Sequence, residues 1–196
     1  MMESARYDRE DLASALRVLR AGGVVVYPTD TVWGIGCDAT NEEAVRRIYR
    51  LKKRADSKSM LVLLDSAAKL DYYAEVPPTA EMLLEVKGEG EKPLTIIYPK
   101  GRHLAESLLA EDGSVGIRIT DEPFSKALCA QLRHPVVSTS ANISGEPAAR
   151  LFREISPEIL EGADYVCRFR RDDESEHEPS SIIKVNEDGT FVIIRS

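Results

Sequence analysis

Three polar segments of this 196-residue chain carry groups that could do chemistry. The first, Pro28-Thr29-Asp30-Thr31-Val32-Trp33-Gly34-Ile35-Gly36, directly follows an apolar run. Its hydroxyls and carboxylate can hold a polar ligand, and equally they can make the local hydrogen bonds of a turn. The second, Lys52-Lys53-Arg54-Ala55-Asp56-Ser57-Lys58, offers Lys52, Arg54 and Lys58 to an anion. Arg grips phosphate with a planar fork and Lys acts as a point charge. The alternative is a solvated helix end, where cations complement the macrodipole. The third, Ser138-Thr139-Ser140-Ala141-Asn142-Ile143-Ser144-Gly145, presents hydroxyls, an amide and backbone N–H groups that can cradle phosphate or ribose without net charge. Such loops are common, so alone it discriminates little.

Other chemistries lack their residues. There is no GxxxxGK[ST] for a P-loop, no GxGxxG and no GxSxG. His103, His134 and His177 fall in turns or an acidic loop and read as surface residues rather than metal ligands or bases. Cys37, Cys129 and Cys167 are too scattered for a zinc site or a disulfide framework, and packing is the expected role.

The elements that position these segments alternate between helix and strand. Asp8 caps a helix through Leu12, Ala15, Leu16 and Leu19 that ends at Gly22-Gly23. Thr40-Asn41-Glu42-Glu43 matches a capping box, with Thr40 and Glu43 as the reciprocal pair, before a helix that buries Val45, Ile48 and Leu51. Strands are expected at 24–27, 60–64, 94–98, 115–119, 136–138 and 165–169, and helices at 66–73, 79–86, 104–110, 123–132 and 152–160. The chain closes in a hairpin, 182–185 and 191–195, through Asn186-Glu187-Asp188-Gly189. This order indicates a single α/β domain over 1–196 built on a mixed sheet.

Charge narrows the partners. The net charge is −7, so general attraction to nucleic acid is not expected. The exception is the basic stretch from Arg46 to Lys58, where a polyanion would bind. No apolar run approaches the ~20 residues of a membrane span, and the polar N-terminus is no signal peptide. A cytoplasmic protein is expected.

Together the segments are more specific than any one alone. Pro28-Thr29-Asp30-Thr31 before glycine, Lys52-x-Arg54, and Ser140-x-Asn142-x-Ser144-Gly145 resemble the YrdC/TsaC family. Lys92-Pro93-Leu94-Thr95, Val115-Gly116-Ile117-Arg118, Ser180-Ser181-Ile182-Ile183 and Ile193-Ile194-Arg195 keep that family's order, so the likeness runs from about Leu12 to Arg195. The resemblance implies a twisted mixed sheet with flanking helices and a large concave cavity. It implies an L-threonylcarbamoyladenylate synthase, which joins L-threonine, bicarbonate or CO2, and ATP with release of pyrophosphate. A partner complex would then transfer the threonylcarbamoyl group to tRNA, and direct contact with tRNA stays open.

The same resemblance assigns residues. Lys52, Arg54, Lys58, Thr95, Ser140, Asn142 and Arg195 would hold ATP, with Mg2+ carried by phosphate oxygens and water and no protein ligand. Arg118 would take the threonine carboxylate, with Thr31, Ser138 and Ser180 around the amino acid. Positioning and charge stabilisation, with Lys52 and Arg54 foremost, would supply catalysis without a named nucleophile or base. The family's Lys-Gly-Arg-Pro is altered here by Lys53 and Ala55, and Pro-Gly-Pro by Glu91-Lys92-Pro93, which changes loop stiffness. Two rival functions remain: an RNA-binding or ribosome-associated module without ATP turnover, and a carbamoyl-adenylate activity like that of the related domain in hydrogenase-maturation proteins.

Overall fold

Asp8 starts the first helix, its carboxylate accepting from the backbone N–H of Glu10 at 2.9 Å and Asp11 at 3.0 Å. Helix α1 (Arg9–Arg20) buries Leu12, Ala15, Leu16 and Leu19, and Gly22 at φ +78° turns the chain away. The computed structural model describes residues 7–53, 60–87, 91–175 and 177–196; Arg54 and Lys58 lie outside the described residues. The remaining elements are β1 (Val25–Tyr27), β2 (Gly34–Gly36), α2 (Glu42–Leu51), β3 (Leu61–Leu64), α3 (Leu70–Tyr73), α4 (Pro78–Val86) and β4 (Leu94–Tyr98). Then follow β5 (Val115–Ile119), α5 (Pro123–Leu132), β6 (Val136–Ser140), α6 (Pro157–Gly162), β7 (Tyr165–Val166), β8 (Ser181–Val185) and β9 (Phe191–Arg195).

The strands form one mixed sheet in the order β7-β1-β2-β6-β3-β5-β4-β8-β9. Three pairs, β1–β7, β3–β5 and β4–β8, are parallel and the other five are antiparallel. The expected α/β mixed sheet with flanking helices is what the chain forms. Among the described residues, no helix is long and apolar enough to cross a membrane.

Several boundaries differ from expectation, each for a local reason. Strand β2 falls in a stretch read as loop, because three residues with two glycines show no apolar alternation. Asn41, not Thr40, caps α2: Asn41 Oδ1 accepts from the Ala44 N–H at 3.0 Å. Thr40 is taken by Asp38, which accepts from its N–H at 2.8 Å and its hydroxyl at 2.7 Å, while Glu43 pairs with Arg50. The helix expected over 104–110 is a single 3₁₀ turn, Glu106–Leu108. Pro157 divides 152–160 into a 3₁₀ turn (Phe152–Glu154) and α6, as proline opens a helix more readily than it continues one. Strand β6 runs two residues further than expected, to Ser140, and β7 stops at Val166.

Gly36 shows how tightly β2 is inserted. A Cβ there would stand 1.9 Å from the carbonyl oxygen of Val137 and 2.9 Å from the Tyr27 ring. Backbone cannot give way as a flexible side chain can, so Gly36→Ala should cost about 3 kcal/mol or more. That corresponds to a melting temperature lowered by roughly 6–12 °C at this chain length. Thermal unfolding followed by circular dichroism measures it, and an unchanged midpoint would contradict this packing.

Strand alternation divides the sheet into two unequal faces. On one, Val62, Leu64, Ile96, Tyr98, Ile117, Val137 and Val185 join the larger core with Ala44, Val45, Ile48 and Tyr49 of α2, Leu70 and Tyr73 of α3, and Ala80 of α4. On the other, Val25, Tyr27, Leu63 and Val136 pack against Leu12, Ala15, Leu16 and Leu19 of α1 and Phe124, Leu128, Cys129 and Leu132 of α5. Those two helices cover only part of the second face. Across β5, β4 and β8 the same face carries Gly116, Arg118, Thr95, Ile97, Ile182 and Lys184, and these line a cavity.

Candidate functional site

Register assembles the floor of this cavity, about 840 Å³ in volume. Arg118 on β5 stands opposite Thr95 on β4, Thr95 opposite Ile182 on β8, and Ile182 opposite Arg195 on β9. Residues far apart in the chain thus share one row across four strands. On the other side of β5, Leu61 lies opposite Ser138 and Gly34 opposite Ser140. Gly116 keeps the floor open: a Cβ there would already touch the Leu61 Cβ at 3.4 Å.

Two polar clusters occupy this floor. In the first, Arg118 is 3% exposed, and its Nη2 lies 2.9 Å from Asp30 Oδ1 and 3.5 Å from Thr31 Oγ1. The Asp30 contact is a charge contact without hydrogen-bond alignment, and Arg118 Nε is buried with no hydrogen-bond partner. The turn beneath is tied by Thr29, whose hydroxyl donates to the Val32 carbonyl at 2.6 Å and accepts from the Thr31 N–H at 3.0 Å. In the second cluster, Thr95 and Ser180 share a hydrogen bond at 2.9 Å, and Arg195 Nε donates to the Ser180 carbonyl at 2.8 Å. Arg195 Nη2 also reaches the Ser180 hydroxyl at 3.3 Å.

The Ser138–Gly145 segment is fixed from behind. Lys52, 1% exposed at the end of α2, donates through Nζ to the carbonyl of Ser140 and, at 2.6 Å, to that of Asn142. The Lys52 carbonyl in turn accepts from the Ser144 N–H at 2.8 Å. Asn142 donates its amide to the Ile143 and Glu146 carbonyls, which leaves its buried Oδ1 without a partner. On the opposite wall Lys184 meets Asp112 at 2.6 Å, and that contact, with Ser114, holds the Asp112 carboxyl well below the usual carboxylate range.

Of the residues expected in the site, Thr31, Thr95, Arg118, Ser138, Ser140, Ser180 and Arg195 line this cavity. Asn142 and Lys52 do not; the Lys52 ammonium donates to the carbonyls of Ser140 and Asn142. The described part of the expected cationic stretch, residues 46–53, is largely paired within the fold. Arg46 pairs with Glu42, Arg47 with Asp164, Arg50 with Glu43 and Lys53 with Glu158, so these four cations already have counter-charges. Asp30 was visible only as part of a turn-like segment; its position between two threonines was the available signal, but its Arg118 partner lies on another strand. Lys184 and Asp112 had no motif to mark them.

The remaining reactive side chains lie elsewhere. All three cysteines are buried, and burial pushes the Cys129 thiol up to about 12 and those of Cys37 and Cys167 upward as well. His134 pairs with Asp38 at 2.7 Å, His103 stacks on Tyr72, and His177 Nε2 accepts from Arg170 at 2.8 Å. Among the described residues, no group of three or more His, Cys, Asp or Glu is arranged to hold a metal.

Comparison with known proteins points the same way as the geometry. The Sua5/YciO/YrdC family model, whose description reads telomere recombination, matches residues 17–196. The threonylcarbamoyl-AMP synthase of Stutzerimonas stutzeri is 42% identical over 134 residues, covering 68% of this chain and 71% of that protein. The crystal structure of P. abyssi Sua5 complexed with L-threonine superposes with a TM-score of 0.81 at 26% identity, over 94% of this chain. This chain spans about half of that longer protein, 53%. E. coli YciO superposes with a TM-score of 0.82 at 26% identity, over 96% of this chain and 90% of its own.

Proposed function

Because the chain belongs to the Sua5/YciO/YrdC family, we propose that it makes L-threonylcarbamoyl-adenylate from L-threonine, bicarbonate or CO2, and ATP. One observation carries the assignment: a buried arginine on the floor of a large polar cavity, with a donor nitrogen left unpartnered. A guanidinium in that state suits a carboxylate, which accepts two parallel N–H bonds. P. abyssi Sua5, which has the same fold, was solved with L-threonine.

Threonine's carboxylate sits on Arg118, with the hydroxyls of Thr31 and Ser138 nearby. Its neutral amine attacks CO2 and loses a proton, giving the carbamate. A carbamate oxygen then forms a bond to the α-phosphorus of ATP, the bond to the bridging oxygen breaks, and pyrophosphate leaves with the electron pair. Arg195, Thr95 and Ser140 line the part of the cavity assigned to ATP; Ser180, expected around the amino acid, is hydrogen-bonded to Thr95 and Arg195 of that part. Lys52 sets the course of the Ser140–Asn142 backbone. Holding three reactants together in a walled cavity lowers the barrier by orientation, without a covalent enzyme intermediate.

Mg2+ would enter with the triphosphate. The described residues do not form a ready cage for it, since Asp112, an acid of the wall, is committed to Lys184. When bound, the ion would neutralise phosphate charge. The product is a mixed anhydride whose consumer must be a group-transfer enzyme acting on a nucleophilic nitrogen, here the adenosine of tRNA, and we place the protein in the cytoplasm. The RNA-binding reading is the weaker one, since Arg46, Arg47, Arg50 and Lys53 of the basic stretch are each paired with an acid of the fold. Pyrophosphate release that requires both threonine and bicarbonate tests the assignment.

A further inference from the structure

Asp30 meets Arg118 from the turn between β1 and β2 without lining the cavity itself. Its side chain is 16% exposed, against 3% for Arg118, and its Oδ1 is buried. A buried guanidinium needs a counter-charge, and its long side chain has several rotamers by which to find one. Here the counter-charge is presented by a turn with little freedom. Thr29 braces that turn through Val32 and Thr31, and Arg170 Nη1 donates to the Thr29 carbonyl at 3.0 Å.

We propose that Asp30 is a positioning residue for the amino-acid carboxylate site: it holds Arg118 by the Nη2 end so that Nε is kept for the substrate. The contact geometry supports this division. Oδ1 engages the guanidinium at Nη2 by charge alone at 2.9 Å, and Nε has no hydrogen-bond partner. A substrate carboxylate oxygen that accepts from Nε satisfies that nitrogen while Asp30 balances the charge at Nη2. The opposite role is also chemically defined: a carboxylate beside Arg118 could compete with the substrate, and its removal would then tighten binding.

The inference rests on the threonine assignment above, and the experiment separates the two. Threonine and ATP KM and kcat are measured from pyrophosphate release for the wild type, Asp30→Asn, Asp30→Glu, Arg118→Ala and the Asp30→Asn/Arg118→Ala pair. Threonine binding by calorimetry and thermal melting accompany them. Asp30→Asn is expected to raise the threonine KM about tenfold or more, as for a lost charged hydrogen-bond partner, with ATP KM unchanged. Asp30→Glu should recover part of that loss. In the Arg118→Ala background Asp30→Asn should add nothing further, since the group it positions is gone. An unchanged or lower threonine KM in Asp30→Asn overturns the proposal, as does an equal rise in the ATP KM. If Asp30→Asn fails to fold, Asp30→Glu against wild type carries the comparison, and a threonine KM unmoved by that displaced carboxylate overturns the proposal. No release by the wild type would instead refute the threonine assignment.

Discussion

Arg118→Ala is expected to weaken threonine binding by about 2–5 kcal/mol while leaving ATP affinity nearly unchanged. That loss is the carboxylate's only buried cation among the residues assigned to it; the Asp30 carboxylate left without its partner lowers stability rather than binding. The position explains the selectivity. Arg118 shares its cluster with Thr31 and Asp30, whereas Ser180 and Arg195 form a separate cluster around Thr95. Steady-state kinetics with each substrate varied in turn, backed by calorimetry, measures the effect. Equal losses for threonine and ATP would move Arg118 from the amino-acid site to a general structural role.

Lys52→Met should lower both stability and the affinity for ATP. Met keeps the apolar stem of the buried side chain and removes the ammonium that the Ser140 and Asn142 carbonyls accept from. A buried acceptor left unsatisfied costs about 1–3 kcal/mol, so the ligand-free protein should melt several degrees lower, at about 2–4 °C per kcal/mol. The ATP KM should rise because the Ser140–Asn142 backbone loses its anchor. The result separates two roles for this lysine. A lysine that acted only on phosphate would leave the melting temperature of the ligand-free protein unchanged, and that outcome would refute the anchoring role.

Legibility in the sequence followed the range of the interaction concerned. Thr95, Arg118 and Ser138 fall in stretches expected as strands, but their roles, and that of Ser140 beyond the expected end of β6, came from the family resemblance. Asp30 could be seen but not paired, because its partner depends on how β1, β2, β6, β3 and β5 are ordered, and no local pattern encodes that. Lys52 and Arg54 look equivalent in a motif. The chain turns at Lys53, with φ +50°, and Lys52 is directed inward by a helix end whose last residues pack into the core. The pairing of Arg46 with Glu42 was open to inspection as a one-turn spacing, but Asp164 and Glu158, which neutralise Arg47 and Lys53, come from the segment around α6. Glycine-bearing β2 was missed for want of side chains to alternate.

The central claim is tested most directly by pyrophosphate release from ATP and Mg2+, with threonine and bicarbonate each present or withheld and serine in place of threonine. Release that needs both co-substrates, and that falls sharply with serine, is the predicted result. Release that is indifferent to threonine, or none at all from folded protein, would contradict it.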